Sequence, residues 1–169
     1  MGSWAETSAA GFKFEAFCLE DITKKKYPLA YKNMKKENFS YYDIILFDGN
    51  FSEGHSQKTV ECKFDEKAHE TGNICIEIGC NGRWSGLLLT KADFWLIADG
   101  HEMFLISRGK LITCIEDNMD TLVYKKKYPV TQEDGIVKDM DFYLVPKKLF
   151  STYCLEVTGM NDMKYDKMV

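Results

Sequence analysis

The feature that most constrains the fold is a segment in which polar and apolar residues alternate, Thr59–Phe64. Alternation with a period of two is typical of a half-buried β-strand. Such a strand turns its apolar residues toward a core and places Glu61 and Lys63 side by side on the other face. A second predicted strand, Tyr41–Phe47, precedes it and carries Asp43 near its start. Two carboxylates and a lysine on neighbouring strands can hold a divalent metal beside a phosphate, so these positions form a candidate site.

The chain has 169 residues, which is enough for one domain with a sizeable core. Hydrophobic residues make up 45% of it and aromatic residues 14%, as in a folded rather than a disordered protein. We predict a single domain over residues 1–169, with a core of about 11–158 and a loosely held tail over 159–169. No apolar run approaches the ~20 residues of a membrane helix, so no membrane contact is expected.

The six cysteines are scattered along the chain without a C-x-x-C pair. Their spacing does not match a structural zinc module, and most lie in apolar runs, where a free cysteine packs as a small hydrophobe. The N-terminus lacks a basic region followed by an apolar one, so no secretory signal is predicted. These features favour a reducing, intracellular compartment.

The other patterns predict a mixture of helices and strands. The predicted helices cover residues 4–26 (ended by Pro28), 85–92, 108–117 and 147–154. The predicted strands cover residues 41–48, 57–65, 73–79, 94–97, 103–106 and 142–145. An irregular, lysine-rich segment is predicted between the third helix and Lys138.

A helix, three meandering strands, a helix and a strand form an order that resembles the PD-(D/E)XK nuclease superfamily. The residues that carry the resemblance are Asp43, Glu61-Cys62-Lys63, Thr71–Glu77, Trp84-Ser85-Gly86 and Thr90–Trp95. The later ones are similar to viral and phage members in which T-G-N, a strand ending in Glu, S-G and T-x-A-D-x-W follow the E-x-K. The resemblance covers about residues 11–106, although no Pro precedes Asp43 as it does in the name-giving motif.

A carboxylate-x-lysine tripeptide alone is weak support, because about one is expected by accident in a chain of this length. Two others occur, Asp65-Glu66-Lys67 in a charged turn and Asp162-Met163-Lys164 in the tail. Only Glu61-Cys62-Lys63 also has a strand pattern and an acidic strand upstream.

The resemblance implies an α/β fold with a restriction-endonuclease-like core, in which helices flank a central mixed β-sheet. It also implies Mg²⁺ or Mn²⁺, for which Asp43 and Glu61 are suitable hard oxygen ligands and the Cys62 backbone carbonyl a further one. The metal would polarise the scissile phosphate and activate a water. Lys63 would orient that water or stabilise charge on the phosphoryl oxygens. Asp43, Glu61 and Lys63 are therefore the predicted catalytic residues.

Two further carboxylates are candidates for the site. Glu15 lies on the first predicted helix, where related nucleases place a carboxylate that reaches the metal through water; the alternative is an exposed acid paired with a lysine. Glu77 alternates out of the isoleucine face of its strand and would share a face with the site. By contrast, Asp48 heads a turn, and Asp93 is expected to cap or bridge rather than to bind a metal.

The net charge of −4 is unfavourable for a nucleic-acid partner, but lysines cluster at 24–26, 35–36, 125–127 and 147–148. Each cluster is commonly a solvated face, and together they permit positive strips.

The resemblance implies a metal-dependent DNA endonuclease that hydrolyses phosphodiester bonds, acting as a homodimer because small members of this fold usually dimerise. Structure-specific, junction-resolving, restriction and repair cleavage all stay open. RNA cleavage by the same fold is one alternative, and a nuclease-like protein that binds nucleic acid without cutting is another. For Lys63 the alternative to a catalytic role is a cross-strand salt bridge with Asp43 or Glu61. For a viral protein the compartment would be the cytoplasm or nucleus of the host.

Overall fold

The computed structural model describes residues 11, 13–23, 31–32, 42–47, 57–131 and 135–160, and the fold below is that of these residues. None of their helices is long and apolar enough to span a membrane. The domain limits predicted from the sequence extend beyond these residues at both ends.

Helices separate groups of one to three strands along the described chain. The helices are α1 (residues 13–17, continuing as the π-helix Cys18–Thr23), α2 (Glu66–Thr71), α3 (Arg108–Asn118) and α4 (Lys147–Tyr153), with a 3-10 turn at Gly86–Leu88. The first strands are β1 (Tyr31–Lys32), β2 (Ile44–Phe47), β3 (Gln57–Phe64), β4 (Asn73–Cys80) and β5 (Arg83–Trp84). The later strands are β6 (Phe94–Ala98), β7 (Glu102–Ser107), β8 (Val123–Thr131), β9 (Val137–Pro146) and β10 (Glu156–Gly159).

These strands form two sheets. The larger sheet has the order β1-β2-β3-β6-β7-β10, and the smaller has the order β5-β4-β9-β8. Strands β3 and β6 pair in parallel, while the other described neighbours pair antiparallel. The fold is therefore α/β, with one mixed and one antiparallel sheet flanked by helices, which confirms the predicted class at this level.

The six-stranded sheet carries a hydrophobic core on each face. An inter-sheet core joins it to the four-stranded sheet and to α3 and α4; its buried members include Ile74, Ile76, Trp95, Ile97, Phe104, Val145 and Phe150. A helix-side core joins the opposite face to α1; its buried members include Phe14, Phe17, Ile44, Val60, Leu96 and Met103. Successive residues of β6 enter different cores, as the two-residue period of a strand requires.

Most predicted elements are confirmed, although several are wrong in partner or extent. Strand β4 does not continue the meander of β2 and β3, because α2 and the left-handed Gly72 lead the chain into the second sheet, where β4 pairs with the distant β9. The predicted helix over 85–92 is only the 3-10 turn Gly86–Leu88. The predicted irregular segment is mostly β8 and the start of β9, since an exposed polar edge strand shows no apolar alternation.

The two chain ends also differ from the sequence predictions where the structure describes them. Helix α1 widens into a π-helix at Cys18. The rest of the predicted helix over 4–26, together with Pro28, lies outside the described residues. At the other end Glu156–Gly159 forms β10 beside β7, and Met160 is buried in the helix-side core. Residues 161–169 of the predicted tail lie outside the described residues.

A buried ion pair joins the end of β6 to the start of α4. The Asp99 carboxylate is fully buried, accepts the backbone N–H groups of His101 and Glu102 at 2.9 and 2.7 Å, and pairs with Lys147. Burial alone would raise the pKa of Asp99, but the bonds from Lys147, Glu102 and His101 outweigh it and hold that pKa below 3.8. The Lys147 backbone N–H also donates to the Gly72 carbonyl at 2.9 Å. The pair thus fixes α4 against both sheets.

We expect Asp99→Asn to lower the free energy of unfolding by about 3 kcal/mol, because it leaves Lys147 without its buried partner. The contribution of Asp99 is present above pH 3.8 and is lost as the pH falls through its lower folded-state pKa, so the variant should be less sensitive to acid. Urea denaturation at several pH values measures both effects.

Glu102→Gln is the matched control, since Glu102 also contacts Lys147, at 2.6 Å, but its side chain is 45% exposed. A loss below about 1 kcal/mol is expected for such a pair. Equal losses in the two variants would contradict a special role for Asp99.

Candidate functional site

Strand β3 brings two predicted site residues to the face that looks toward the second sheet. Its apolar residues Val60, Cys62 and Phe64 pack in the helix-side core, as the alternation predicts. Glu61 and Lys63 therefore lie on the other face, next to Trp95 and Ile97 in the parallel register with β6. Both side chains are half-buried rather than open to solvent.

Asp43 joins them from the neighbouring strand. The register pairs Ile44 with Val60, so Asp43, one residue before β2, lies opposite Glu61. Its backbone N–H donates to the Val60 carbonyl at 2.9 Å, and its carboxylate accepts the Cys62 N–H at 2.7 Å. The side chain of Asp43 thus takes the place of a backbone acceptor at the end of the ladder and is held at the edge of β3.

Three further carboxylates lie around Glu61. Burial, together with the charges of Asp43, Glu15 and Glu77, raises the pKa of Glu61 to about 8, against the opposing effect of Lys63. Glu15 comes from α1, and Glu77 comes from β4 in the second sheet. The structure therefore brings together all four acidic residues that the sequence analysis selected.

The Lys63 ammonium group makes a contact that the sequence did not predict. Its ammonium group donates to the Cys75 backbone carbonyl, and the Cys75 N–H donates to the Asp65 carboxylate at 2.8 Å. Burial lowers the pKa of Lys63, but Cys75, Asp65, Glu77 and Glu61 together raise it above 10.5. Lys63 is therefore a cation at neutral pH and is anchored between the two sheets.

Glu77 is positioned by the Ser85-Gly86 pair. The Ser85 hydroxyl donates to the Glu77 carboxylate, and the Ser85 N–H donates to the Ile78 carbonyl at 3.1 Å. Gly86 has φ +50°, and a Cβ there would lie 2.8 Å from the carbonyl carbon of Glu77. Only glycine lets the 3-10 turn approach β4 this closely. The S-G motif in the sequence thus has a local structural reason.

The remaining predicted positions have other partners. Cys62 turns its thiol into the helix-side core, where a hydrogen bond with Cys18 and burial raise its pKa well above 9.0. The Asp93 carboxylate accepts the backbone N–H and hydroxyl of Thr59 at 2.9 and 3.1 Å, which confirms that it bridges β3 and β6. Asp48 lies outside the described residues. Asp65 and Ser85 were not selected as site residues from the sequence, since their roles depend on hydrogen bonds with Cys75 and Glu77 that only the folded chain brings about.

No known protein family, curated protein or solved structure that we compared with the chain matches it. The arrangement of the site residues is therefore the basis for any functional conclusion.

The chemistry of the cluster suits a divalent cation. Within the described part of the chain, no group of three or more His, Cys, Asp or Glu side chains is already arranged to hold a metal ion. The available donors are nevertheless carboxylate oxygens, which Mg²⁺ and Mn²⁺ prefer. Glu15, Asp43, Glu61 and Glu77 crowd negative charge in a partly buried place, with Lys63 as the counter-charge that acts on Glu61. A bound cation would relieve that repulsion, so the donor set fits one.

We expect Gly86→Ala to lower the free energy of unfolding by about 2–3 kcal/mol, because the new Cβ overlaps the Glu77 backbone at a positive φ. Urea denaturation of the purified variant measures this loss. Gly109→Ala is the control, since Gly109 lies in α3 and no atom lies within 4 Å of the position that an alanine Cβ would occupy. It should stabilise the protein by up to about 1 kcal/mol. If both variants unfold at the wild-type urea concentration, the close approach at Gly86 is absent.

Proposed function

We propose that this protein is a metal-dependent endonuclease that hydrolyses phosphodiester bonds in nucleic acid, with DNA as the substrate. The observation that carries the proposal is the convergence of Glu15, Asp43 and Glu77 on Glu61, with the Lys63 cation beside it. The mixed sheet with the E-x-K on its parallel strand is compatible with a restriction-endonuclease-like core. Homodimerisation remains part of the proposal, since two centres would address two strands. The free state of all six cysteines suits a reducing compartment.

In this proposal Asp43 and Glu61 hold Mg²⁺ or Mn²⁺, with the Cys62 carbonyl as a further candidate oxygen ligand. The bound cation supplies Lewis-acid polarisation of the phosphate and lowers the pKa of the attacking water. Hydrolysis adds the water oxygen to phosphorus and releases the bridging oxygen as an alcohol. Lys63 places a fixed positive charge where the phosphoryl oxygens become more negative. Glu77, oriented by Ser85, and Glu15 complete the charge around the centre.

The test is cleavage of plasmid DNA, branched DNA and RNA in different metals. Cutting should require Mg²⁺ or Mn²⁺, stop on addition of EDTA, and be poor in Ca²⁺, which is larger and less polarising. Asp43→Asn and Glu61→Gln should each abolish it; the Asn keeps an oxygen for the Cys62 N–H, so the strand end is preserved. Glu70→Gln, an exposed acid in α2, is the control and should cut normally. Wild-type rates in both site variants would overturn the proposed metal ligands.

A rival function is nucleic-acid binding without cleavage. The observation that favours it is the hydrogen bond from Lys63 to the Cys75 carbonyl, because it gives this lysine a structural role. A lysine that only joins the two sheets needs no reaction to explain its position.

We expect Lys63→Ala to lower turnover by ~10² or more, the typical effect of removing one stabilising donor, with little change in affinity for nucleic acid. It should also lower the melting temperature, since the Cys75 carbonyl loses its donor. Lys67→Ala is the matched control, because Lys67 ends the carboxylate-x-lysine tripeptide Asp65-Glu66-Lys67 and its side chain is exposed.

Cleavage, gel-shift and melting experiments on both variants separate the two functions. Normal binding with lost cutting supports the nuclease. If the wild-type protein cuts in no metal and Lys63→Ala changes only stability, the lysine is structural and the non-catalytic function is correct.

A further inference from the structure

A β-bulge with consecutive lysines lies at an exposed edge of the smaller sheet. Strand β8 is the edge strand, and all but one of its residues are exposed. Its register with β9 shifts between Lys125 and Tyr128, so that the two lysines between them oppose only Asp141. Two residues opposite one bend the strand and redirect its side chains. We call residues Lys125–Tyr128 the lysine bulge.

The lysine bulge is held in its shape by specific contacts. Lys127 has φ +48°, which is uncommon for a residue other than glycine. Its backbone N–H donates to the Asp141 carboxylate at 2.7 Å. Gly79 of β4 makes room for Asp141, since a Cβ there would lie 3.2 Å from the Asp141 Cβ. A strained backbone that three strands maintain is a reason to look for a function at the bulge.

Aromatic rings flank the lysines on the same strand. Tyr124 is 43% exposed and stacks on Tyr143, with ring centroids 5.0 Å apart. Tyr128 is 48% exposed and meets Phe142 edge-on at 5.6 Å. The rings are therefore partly fixed, yet they still present surface to a ligand. Tyr124 lies on the opposite face of the sheet from Lys125, so Tyr128 is the ring beside that lysine. An ammonium group beside an exposed ring suits a sugar-phosphate backbone with its bases.

The lysine bulge lies in register with the candidate site. Across the four-stranded sheet Glu77 pairs with Phe142, and Phe142 pairs with Lys125. These three residues form one row on one face, so Glu77 and Lys125 are separated by two strand spacings, or ~10 Å. That distance corresponds to about three nucleotides at the ~3.4 Å rise of one DNA strand. A strand bound at the site could therefore reach the bulge without leaving the sheet.

From this placement we infer that the lysine bulge binds the phosphate backbone of the nucleic acid a few nucleotides from the candidate site. The inference rests on the proposed function, because it names the surface by which the same substrate is held. Charge identifies the partner: three adjacent ammonium groups on a chain of net charge −4 select an anionic polymer rather than a second copy of this chain. Lysines on an edge strand also oppose pairing with another copy.

The test compares two triple variants of the full chain. The first replaces Lys125, Lys126 and Lys127 by Gln. The control replaces three exposed lysines on helices by Gln, and these are Lys67, Lys110 and Lys148. The charge change is thus the same in both. Binding of labelled DNA and RNA oligonucleotides of one sequence is measured in EDTA, where cutting is absent, over a series of salt concentrations.

The bulge variant should bind at least tenfold more weakly, with a salt slope smaller by about 2–3, while the control should lose much less. Equal losses in both variants would show only a general charge effect and overturn the inference. Unchanged binding together with oligomers in sedimentation would also overturn it, since the lysines would then only protect the edge of the sheet.

A parallel cleavage assay on the wild-type protein separates this inference from the proposed function. If the wild type cuts in no metal but its binding depends on the lysine bulge, the nuclease proposal fails and the binding surface stands. If the wild type cuts and the bulge variant cuts equally well at low substrate concentration, the nuclease stands and the binding surface is wrong.

Discussion

The contact between β3 and the open edge of β4 is the interaction on which the arrangement of the site depends. Strand β5 pairs with β4 only at Gly79 and Cys80. On that edge of β4, no described strand therefore pairs with Cys75. Lys63 and Asp65 satisfy its carbonyl and its N–H. Buried backbone groups without partners are costly, and here side chains of the larger sheet supply the partners that another strand would. The two sheets are thereby joined beside Glu61.

The same junction explains why the carboxylates of the site are crowded. Glu15 arrives from α1, Asp43 and Glu61 from adjacent strands, and Glu77 from the second sheet. Partial burial and mutual repulsion raise the pKa of Glu61 to about 8, and such crowding does not favour stability by itself. Two hydrogen bonds maintain the crowded arrangement: the Cys62 N–H donates to the Asp43 carboxylate, and the Ser85 hydroxyl donates to the Glu77 carboxylate. Conformations that are costly yet specifically maintained are typical of functional sites.

The second sheet links this site to the surface. Strand β4 carries Glu77 into the cluster, and β9 continues the row to the lysine bulge at the outer edge of β8. The Gly79 and Asp141 contact that fixes the bulge lies two residues along β4 from Glu77. One antiparallel sheet therefore orients both an acidic side chain at the site and a basic surface outside it.

The sequence by itself determined the local structure and the selection of candidate residues. Alternation in β3 fixed which face carries Glu61 and Lys63, because side chains of a strand point alternately to its two sides. The family resemblance pointed to Glu15 and the alternation within β4 to Glu77, and the structure brings both near Glu61. Periodicity has no information about partners far apart in the chain, so it could not place β4 beside β9. Nor could it find β8, whose exposed lysines lack an apolar pattern. Only the tertiary structure decided that Lys63 and Asp65 would bind Cys75, because that contact exists only once two separately formed sheets have packed together.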